Sequence, residues 1–243
     1  MKIALVTGAT RGIGLATARR LAADGFHVVV GARRDDAGRA AVDRVRAEGG
    51  DASSVLLDVT DPDQVRAAAS HVEERFGRLD VLVNNAGVLP EASAEPAEAV
   101  DLDLFRRTYA TNLFGPVLVL EAFLPLLRRS DAGRVVNVTT RMGSLADQQD
   151  TASPYYSTVV PAYQSSKAAL NAVTVALAKA LAGTPITVTA VCPGFVRTDL
   201  TPLNREHAPL GPDDAAAVVH RAATLPAGAP SGTFVDAIGP VPW

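Results

Sequence analysis

The chain opens with a short apolar run, Ile3 to Thr7, that leads directly into T-G-A-T-R-G-I-G at positions 7 to 14. Its three glycines, Gly8, Gly12 and Gly14, lie between a strand-like segment and a helix-like one. Nothing else in the sequence constrains the fold as strongly. Glycine lets the backbone turn tightly, approach a pyrophosphate and seat the next helix closely on the strand. A helix starting near Gly12 would aim its free amides and positive dipole end at the phosphates. A glycine trio alone is a weak signal, but a trio between a first strand and a first helix is the context a dinucleotide site requires.

The rest of the chain repeats that alternation. Strands are expected at Ile3–Thr7, His27–Gly31, Ser54–Asp58, Val81–Asn84, Arg134–Thr139, Thr187–Cys192 and Thr233–Asp236. They are rich in Val and Ile, and several lack polar alternation, as strands covered on both faces do. Helices are expected at Gly12–Asp24, Asp36–Glu48, Asp61–Phe76, Leu102–Arg128, Pro161–Leu181 and Pro212–Ala223. Asp61 before Pro62 suits a capping residue followed by proline in the first turn. Polar loops are expected at Pro90–Glu98 and Ala146–Pro161. The fold class is therefore α/β: a Rossmann-type, doubly wound parallel sheet of about seven strands, helices on both faces, one domain over residues 1–243.

Charge and composition exclude several function classes. The net charge is -3, and the pairs Arg19-Arg20, Arg33-Arg34, Arg106-Arg107 and Arg128-Arg129 form no continuous run, so no nucleic-acid footprint is expected. No uninterrupted apolar run reaches membrane-spanning length, and the first apolar stretch is too short for a secretion signal. The single cysteine, Cys192, permits no intrachain disulfide and suits a reducing, cytoplasmic setting. Its apolar V-C-P-G context reads as packing rather than nucleophilic chemistry.

Cofactor choice is read at the end of the second strand, V-V-V-G-A-R-R. NAD sites place an acid here for the ribose hydroxyls. This chain has Ala32 followed by Arg33, and Arg11 inside the glycine turn. Arginine pairs well with a 2′-phosphate, so NADP(H) is expected over NAD. Asp58 offers a carboxylate to an adenine amino group or, alternatively, a cap. N-N-A-G at 84–87 makes a polar turn where backbone can lie close to a ribose.

A second constellation lies in A-Y-Q-S-S-K-A-A-L. Tyr163 and Lys167 stand four apart, on one helical face. A lysine charge beside a phenol favours the phenolate and is expected to lower the tyrosine's pKa toward working pH. Such a tyrosine can transfer a proton.

In this order, T-G-A-T-R-G-I-G, N-N-A-G and Y-Q-S-S-K resemble the short-chain dehydrogenase/reductase family across nearly the whole chain. N-V-T-T-R-M-G-S-L and the closing G-P-V-P-W are similar to its carbonyl-reductase-like branch. The resemblance implies that Tyr163 protonates a carbonyl oxygen as hydride arrives. It implies that Lys167 holds the nicotinamide ribose, and that Asn112 in T-N-L-F-G-P fixes a water joining Lys167 to solvent. Cofactor contacts are implied for Gly8, Thr10, Arg11, Gly12, Ile13 and Gly14 in the first turn and for Arg33, Asp58 and Val59 beyond it. Asn85, Ala86 and Gly87 are implied in the fourth loop. Pro193, Gly194, Val196 and Thr198, in C-P-G-F-V-R-T-D-L, complete the set, with Thr198 on the nicotinamide amide.

Two departures from the family pattern stand out. The family serine is here Thr140, three before Gly143; its hydroxyl can donate to a substrate oxygen, but its methyl restricts the rotamer. Thr139 and Ser144 are nearby hydroxyls in a register that points elsewhere. Thr140 and Tyr163 lie 23 positions apart, wider than usual, with Pro154, Tyr155 and Tyr156 in the insertion. In the resembling branch such an insertion covers a helix face used for assembly, which favours a monomer or homodimer over a tetramer. The lid Leu200–Pro212 is short, and its His207 reads as solvent-facing. The function implied is NADPH-dependent reduction of a small-molecule ketone or aldehyde. Imine or activated-alkene reduction on the same scaffold, or non-catalytic NADP sensing, are the alternatives.

Overall fold

Ile3 and Leu5 lie in one hydrophobic core, and Ala4 and Val6 in another. Successive strand residues point to opposite faces, so this first strand must run between two packed layers. In the computed structural model, which describes residues 1–93 and 100–243, it does. The strands are β1 (Lys2–Thr7), β2 (Phe26–Ala32), β3 (Asp51–Leu56), β4 (Val81–Asn84), β5 (Arg134–Val138), β6 (Thr187–Val191) and β7 (Thr233–Val235). They form one seven-stranded sheet in the order β3-β2-β1-β4-β5-β6-β7, with every pairing parallel. The doubly wound α/β sheet expected from the sequence is thus the fold.

The helices are α1 (Gly12–Ala23), α2 (Asp35–Ala47), α3 (Pro62–Phe76), α4 (Leu102–Tyr109), α5 (Gly115–Leu127), α6 (Leu145–Gln149), α7 (Pro161–Ala180), α8 (Pro202–His207) and α9 (Pro212–Ala223). Leu15, Leu21, Val42, Val45, Val218 and Val219 bring α1, α2 and α9 onto one face. Val65, Val72, Val119, Leu120, Phe123 and Leu127 bring α3 and α5 onto the other. All strand carboxyl ends fall on one edge, and the order reverses between β1 and β4. Ligands in such sheets bind in the crevice at that reversal.

Several boundaries differ from expectation. β3 is Asp51–Leu56, not Ser54–Asp58, so Asp58 lies in the loop beyond it. The pairing runs from His27 opposite Asp51 to Ala32 opposite Leu56, and the Asp51 carboxylate lies 2.8 Å from His27 Nδ1. Polar residues begin this strand because they satisfy a buried imidazole. The long helix expected over 102–128 is broken by a wide π-type turn at Ala110–Phe114. Pro116 has no amide to donate, so the hydrogen-bond ladder must slip there. The expected loop over 146–161 contains most of α6, and α8 lies within the expected lid. Of the loop expected at Pro90–Glu98, the start forms a 3₁₀ turn, Pro90–Ser93, and residues 94–98 lie outside those described. Asp61 caps α3 as expected, its Oδ1 accepting from Asp63 N at 2.9 Å and Gln64 N at 3.2 Å.

By length and composition the stretch Leu102–Leu127 could cross a membrane, although it contains no uninterrupted apolar run of that length. Val119, Leu120, Phe123, Leu126 and Leu127 are instead buried against the sheet, so its apolar content serves the core. Phe123 is fully buried at the centre of that layer. Phe123→Ala should cost about 3–5 kcal/mol through lost transfer energy and an unfilled cavity. Differential scanning calorimetry should show a melting temperature lowered by roughly 10 °C; a shift below about 2 °C would contradict this packing.

Candidate functional site

The segments after strands β1 to β6, the first turn of α1, the π-type turn at Ala110–Phe114 and helix α7 build the site. In the loop after β1, Gly8 and Gly12 adopt positive φ (63° and 55°), a conformation open to glycine at little cost. Gly14 tolerates no side chain: a Cβ there would sit 2.5 Å from Asn85 Nδ2 and 2.7 Å from the Gly8 carbonyl oxygen. The loop after β4 locks on from the other side. Asn85 Nδ2 donates to Thr7 O (2.8 Å), and Thr7 Oγ1 accepts from the amides of Asn85 and Ala86 at 3.0 Å each. Thr7, which carries no sequence signal of its own for this role, is the joint between the two loops. The first turn of α1 has no side-chain cap and no acidic residue. Its amides and dipole are therefore free to receive an anion.

Two arginines flank this turn. Arg33 is exposed at the end of β2 and makes no ion pair among the described residues. Arg11 is exposed, 3.6 Å from Asp199 Oδ2. Arg34, by contrast, is held by Asp36 through two hydrogen bonds. Asp58 does not end a strand. Its Oδ1 accepts from Thr60 N at 2.9 Å and Thr60 Oγ1 at 2.8 Å, so one carboxylate oxygen acts as a local cap. Buried Val59 fills the space beside Gly115, where a Cβ would meet Val59 Cγ2 at 2.8 Å. Thr10 and Ile13 lie in the glycine turn and at the start of α1.

On α7, Tyr163 and Lys167 share one face and are both buried, at 6% and 5% exposure. Lys167 Nζ donates to the Val138 carbonyl at 2.8 Å and lies 5.8 Å from the centroid of the Tyr163 ring. Burial lowers the Lys167 ammonium to about 8 and raises the Tyr163 phenol. The spacing alone predicts that the lysine lowers the tyrosine. The structure reverses that direction, because desolvation of the phenol outweighs an ammonium already tied to a backbone carbonyl.

Gly87 brings the β4 loop to this pair. A Cβ at Gly87 would lie 3.7 Å from Lys167 Nζ and 3.5 Å from Asn112 Oδ1. Asn112, fully buried in the π-type turn, fastens the same loop to α7. Its Oδ1 accepts from Val88 N (2.9 Å), while Nδ2 donates to Val88 O (2.9 Å) and Ser166 Oγ (3.2 Å). The side-chain amide of Asn112 is thus committed to holding the loop.

Thr140 ends the extension of β5. Its Oγ1 accepts from Met142 N at 3.2 Å and caps a tight turn, Arg141–Gly143. A Cβ at Gly143 would fall 2.8 Å from the Lys167 carbonyl carbon and 2.9 Å from Ala168 N. That turn therefore rests directly on the α7 backbone, and this contact fixes Thr140 relative to Lys167. The neighbouring hydroxyls are occupied: Thr139 Oγ1 donates to Lys167 O (3.5 Å), and Ser144 Oγ accepts from Asp147 N (3.1 Å). Cys192 is buried behind Thr140, its Sγ accepting from Arg141 N at 3.4 Å, and burial raises its thiol.

The loop after β6 closes the site. Pro193 is buried and Gly194 takes φ 89°. Val196 is bridged to Leu210. The Thr198 methyl lies 3.3 Å from where a Gly12 Cβ would be, which places this segment over the glycine turn. His207, the last residue of α8, is exposed beside Glu206 at 3.8 Å and faces solvent as expected, from a helix end rather than a loop. The structure thus brings together Gly8, Gly12 and Gly14 with Asn85 and Thr198, and Gly87 with Asn112 and Lys167.

A family model described as short chain dehydrogenase matches residues 2–209, and the chain belongs to that family. Among its relatives, (+)-neomenthol dehydrogenase of Arabidopsis thaliana is 33% identical over 96% of this chain and 95% of its own. The 3-oxoacyl-[acyl-carrier-protein] reductase of Synechocystis is 35% identical over 94% and 91%. Among solved structures, NADPH-bound carbonyl reductase from chicken fatty liver superposes with a TM-score of 0.85 at 28% identity, covering 100% of this chain and 98% of that one.

The lowered Lys167 value carries a stability consequence. Below pH 8 both folded and unfolded chains hold the lysine proton, and the fold bears the full penalty of a buried charge. Between about 8 and the ordinary 10.5 the folded state sheds the proton first, so stability rises with pH. The melting temperature of wild type relative to Lys167→Met should climb from about pH 7.5 to about pH 9.5. A pH-independent difference would contradict a buried, depressed lysine.

Proposed function

We propose that this protein reduces ketones or aldehydes to alcohols with NADPH, as a carbonyl-reductase-like member of its family. The observation that carries the reading is the meeting of Gly87, Asn112 and buried Lys167 beside Tyr163, next to an uncapped glycine turn. The residues present fit a dinucleotide. Gly14 leaves room only for backbone, the first turn of α1 offers free amides without a competing acid, and Arg33 and Arg11 flank it. An arginine rather than an acid after β2 suits a 2′-phosphate.

Bound NADPH supplies the hydride, and that chemistry belongs to the cofactor. Tyr163 donates the proton to the carbonyl oxygen. Burial keeps the phenol protonated before reaction but makes its proton harder to release, a cost that the neighbouring Lys167 charge offsets as phenolate develops. Lys167 holds its charge beside the developing oxyanion and supports the nicotinamide ribose. Thr140 stands in for serine as the hydrogen-bond donor to the substrate oxygen. Asn112 sets the β4 loop against α7 through Val88 and Ser166, and the relay water expected beside Lys167 would be positioned by that loop rather than by the committed side-chain amide. Asp58 would offer its other carboxylate oxygen to the adenine, Thr198 would hold the nicotinamide amide, and the neighbouring Pro193, Gly194 and Val196 would shape that edge.

Gln164 Nε2 donates to Gln148 Oε1 at 2.8 Å and to Thr158 O at 2.9 Å, which holds the insertion against the start of α7. That packing supports a monomer or homodimer. A reducing, cytoplasmic setting accords with the lone, buried Cys192.

NADPH oxidation with a panel of ketones, aldehydes, imines and enones tests the reaction class. Turnover of carbonyls is expected, whereas turnover of imines or enones alone would move the protein to that alternative. Cofactor binding with no acceptor reduced would make it a sensor. Tyr163→Phe should lower kcat by about 100-fold or more while NADPH binding holds; unchanged turnover would remove Tyr163 as the acid. By calorimetric titration, Arg33→Ala should weaken NADPH about tenfold and leave NADH nearly unchanged. Equal losses would refute the phosphate contact.

A further inference from the structure

An α-helix begins with backbone donors that have no partner within it. At the start of α7 they can be accounted for one by one. Val160 N donates to Gln164 Oε1 at 3.1 Å, Pro161 has no donor, and Gln164 N returns to Val160 O at 2.9 Å. The other two amides, of Ala162 and Tyr163, meet a single carboxylate. Glu91 Oε1 accepts from Ala162 N at 2.9 Å, and Oε2 accepts from Tyr163 N at 2.7 Å. Val160 gives no side-chain cap, and α7 has no acidic residue in its first turn. Glu91 supplies both missing elements from the Pro90–Ser93 turn: a two-oxygen acceptor and a negative charge at the positive end of the dipole.

The location gives this contact its meaning. Glu91 stands three residues beyond Val88, which Asn112 clasps through both backbone groups. The loop that presents Gly87 to Lys167 therefore goes on to hold the amide of Tyr163.

We propose that Glu91 is a positioning residue for Tyr163. Its carboxylate sets the height of the first turn of α7 above the β4 loop, and with it the phenol relative to the crevice. This rests on the reading of Tyr163 as proton donor. Glu91 acts through backbone alone, yet a small displacement of a reacting group costs rate steeply. Its charge also matters. Tyr163 faces Lys167 on its own helix and Cys192 beyond β6, while Glu91 lies at its amide. Neutralising Glu91 exposes the phenol to the positive helix end, which favours phenolate.

The variants Glu91→Gln, Glu91→Ala and Glu91→Asp test the assignment. Glutamine keeps the shape but turns a donor toward a donor. Glu91→Gln and Glu91→Ala should lower kcat about tenfold, with KM and the NADPH Kd within about twofold. The limb of the kcat–pH profile set by Tyr163 should move to lower pH in both. Glu91→Asp should restore that limb, because the charge returns, and recover part of kcat. Independently of activity, hydrogen exchange read by mass spectrometry should quicken about tenfold in Glu91→Gln over residues 160–166, with the rest of α7 unchanged. Unaltered exchange there overturns the proposal, and so does a loss spread equally over kcat, KM and Kd. If wild type reduces no carbonyl, the proposed function falls while the exchange measurement still decides whether Glu91 holds the turn.

Discussion

The site depends on one hydrogen bond to a main-chain atom. Lys167 lies in the interior, where a charge is costly, and its ammonium donates to the carbonyl of Val138 at the last residue of β5. That bond joins α7 to the sheet near its switch point, with Gly143 resting on the same helix turn and Gly87 approaching from β4. If the lysine moved, Tyr163 one helical turn earlier would lose its reference to the strand ends. The cost of burying an amine thus becomes a means of positioning a phenol.

The electrostatics follow from that burial. A solvated Tyr–Lys pair would settle with the phenol lowered by the neighbouring charge. Here both groups are withdrawn from water, the phenol is raised and the lysine lowered, so each is pushed toward its neutral form. A neutral phenol is the form that donates a proton, and the lysine charge beside it eases the loss of that proton. Glu91 adds a carboxylate at the other end of the same turn, close to the Tyr163 amide. The tyrosine is therefore framed by a buried cation on one side and an anion on its backbone.

Much of this was legible in the residues. The glycine turn could be read because Gly8, Gly12 and Gly14 are required by backbone conformation and close approach, and both leave a mark in sequence. The Tyr163–Lys167 pair could be read because helix periodicity places them together. What escaped has physical reasons. The Val138 carbonyl has no side-chain signature, so the decisive partner of Lys167 was invisible, and with it the balance between desolvation and attraction. The start of β3 was missed because Asp51 and Ser53 look like loop residues until His27 is seen to need them. The wide turn at Ala110–Phe114 was hidden in a continuous helical pattern, although Pro116 was a fair warning. Glu91 sits in a polar loop where nothing marks one acid from another; only the third dimension brings it to α7.

The central claim is that this crevice delivers hydride from a nicotinamide to a carbonyl carbon while Tyr163 protonates the oxygen. Isotope transfer tests it most directly. With NADPH deuterated at the reactive face of nicotinamide C4, the alcohol product should carry one deuterium on its carbinol carbon, by mass spectrometry and NMR. An alcohol without the label would contradict the account, as would cofactor consumed with no labelled product.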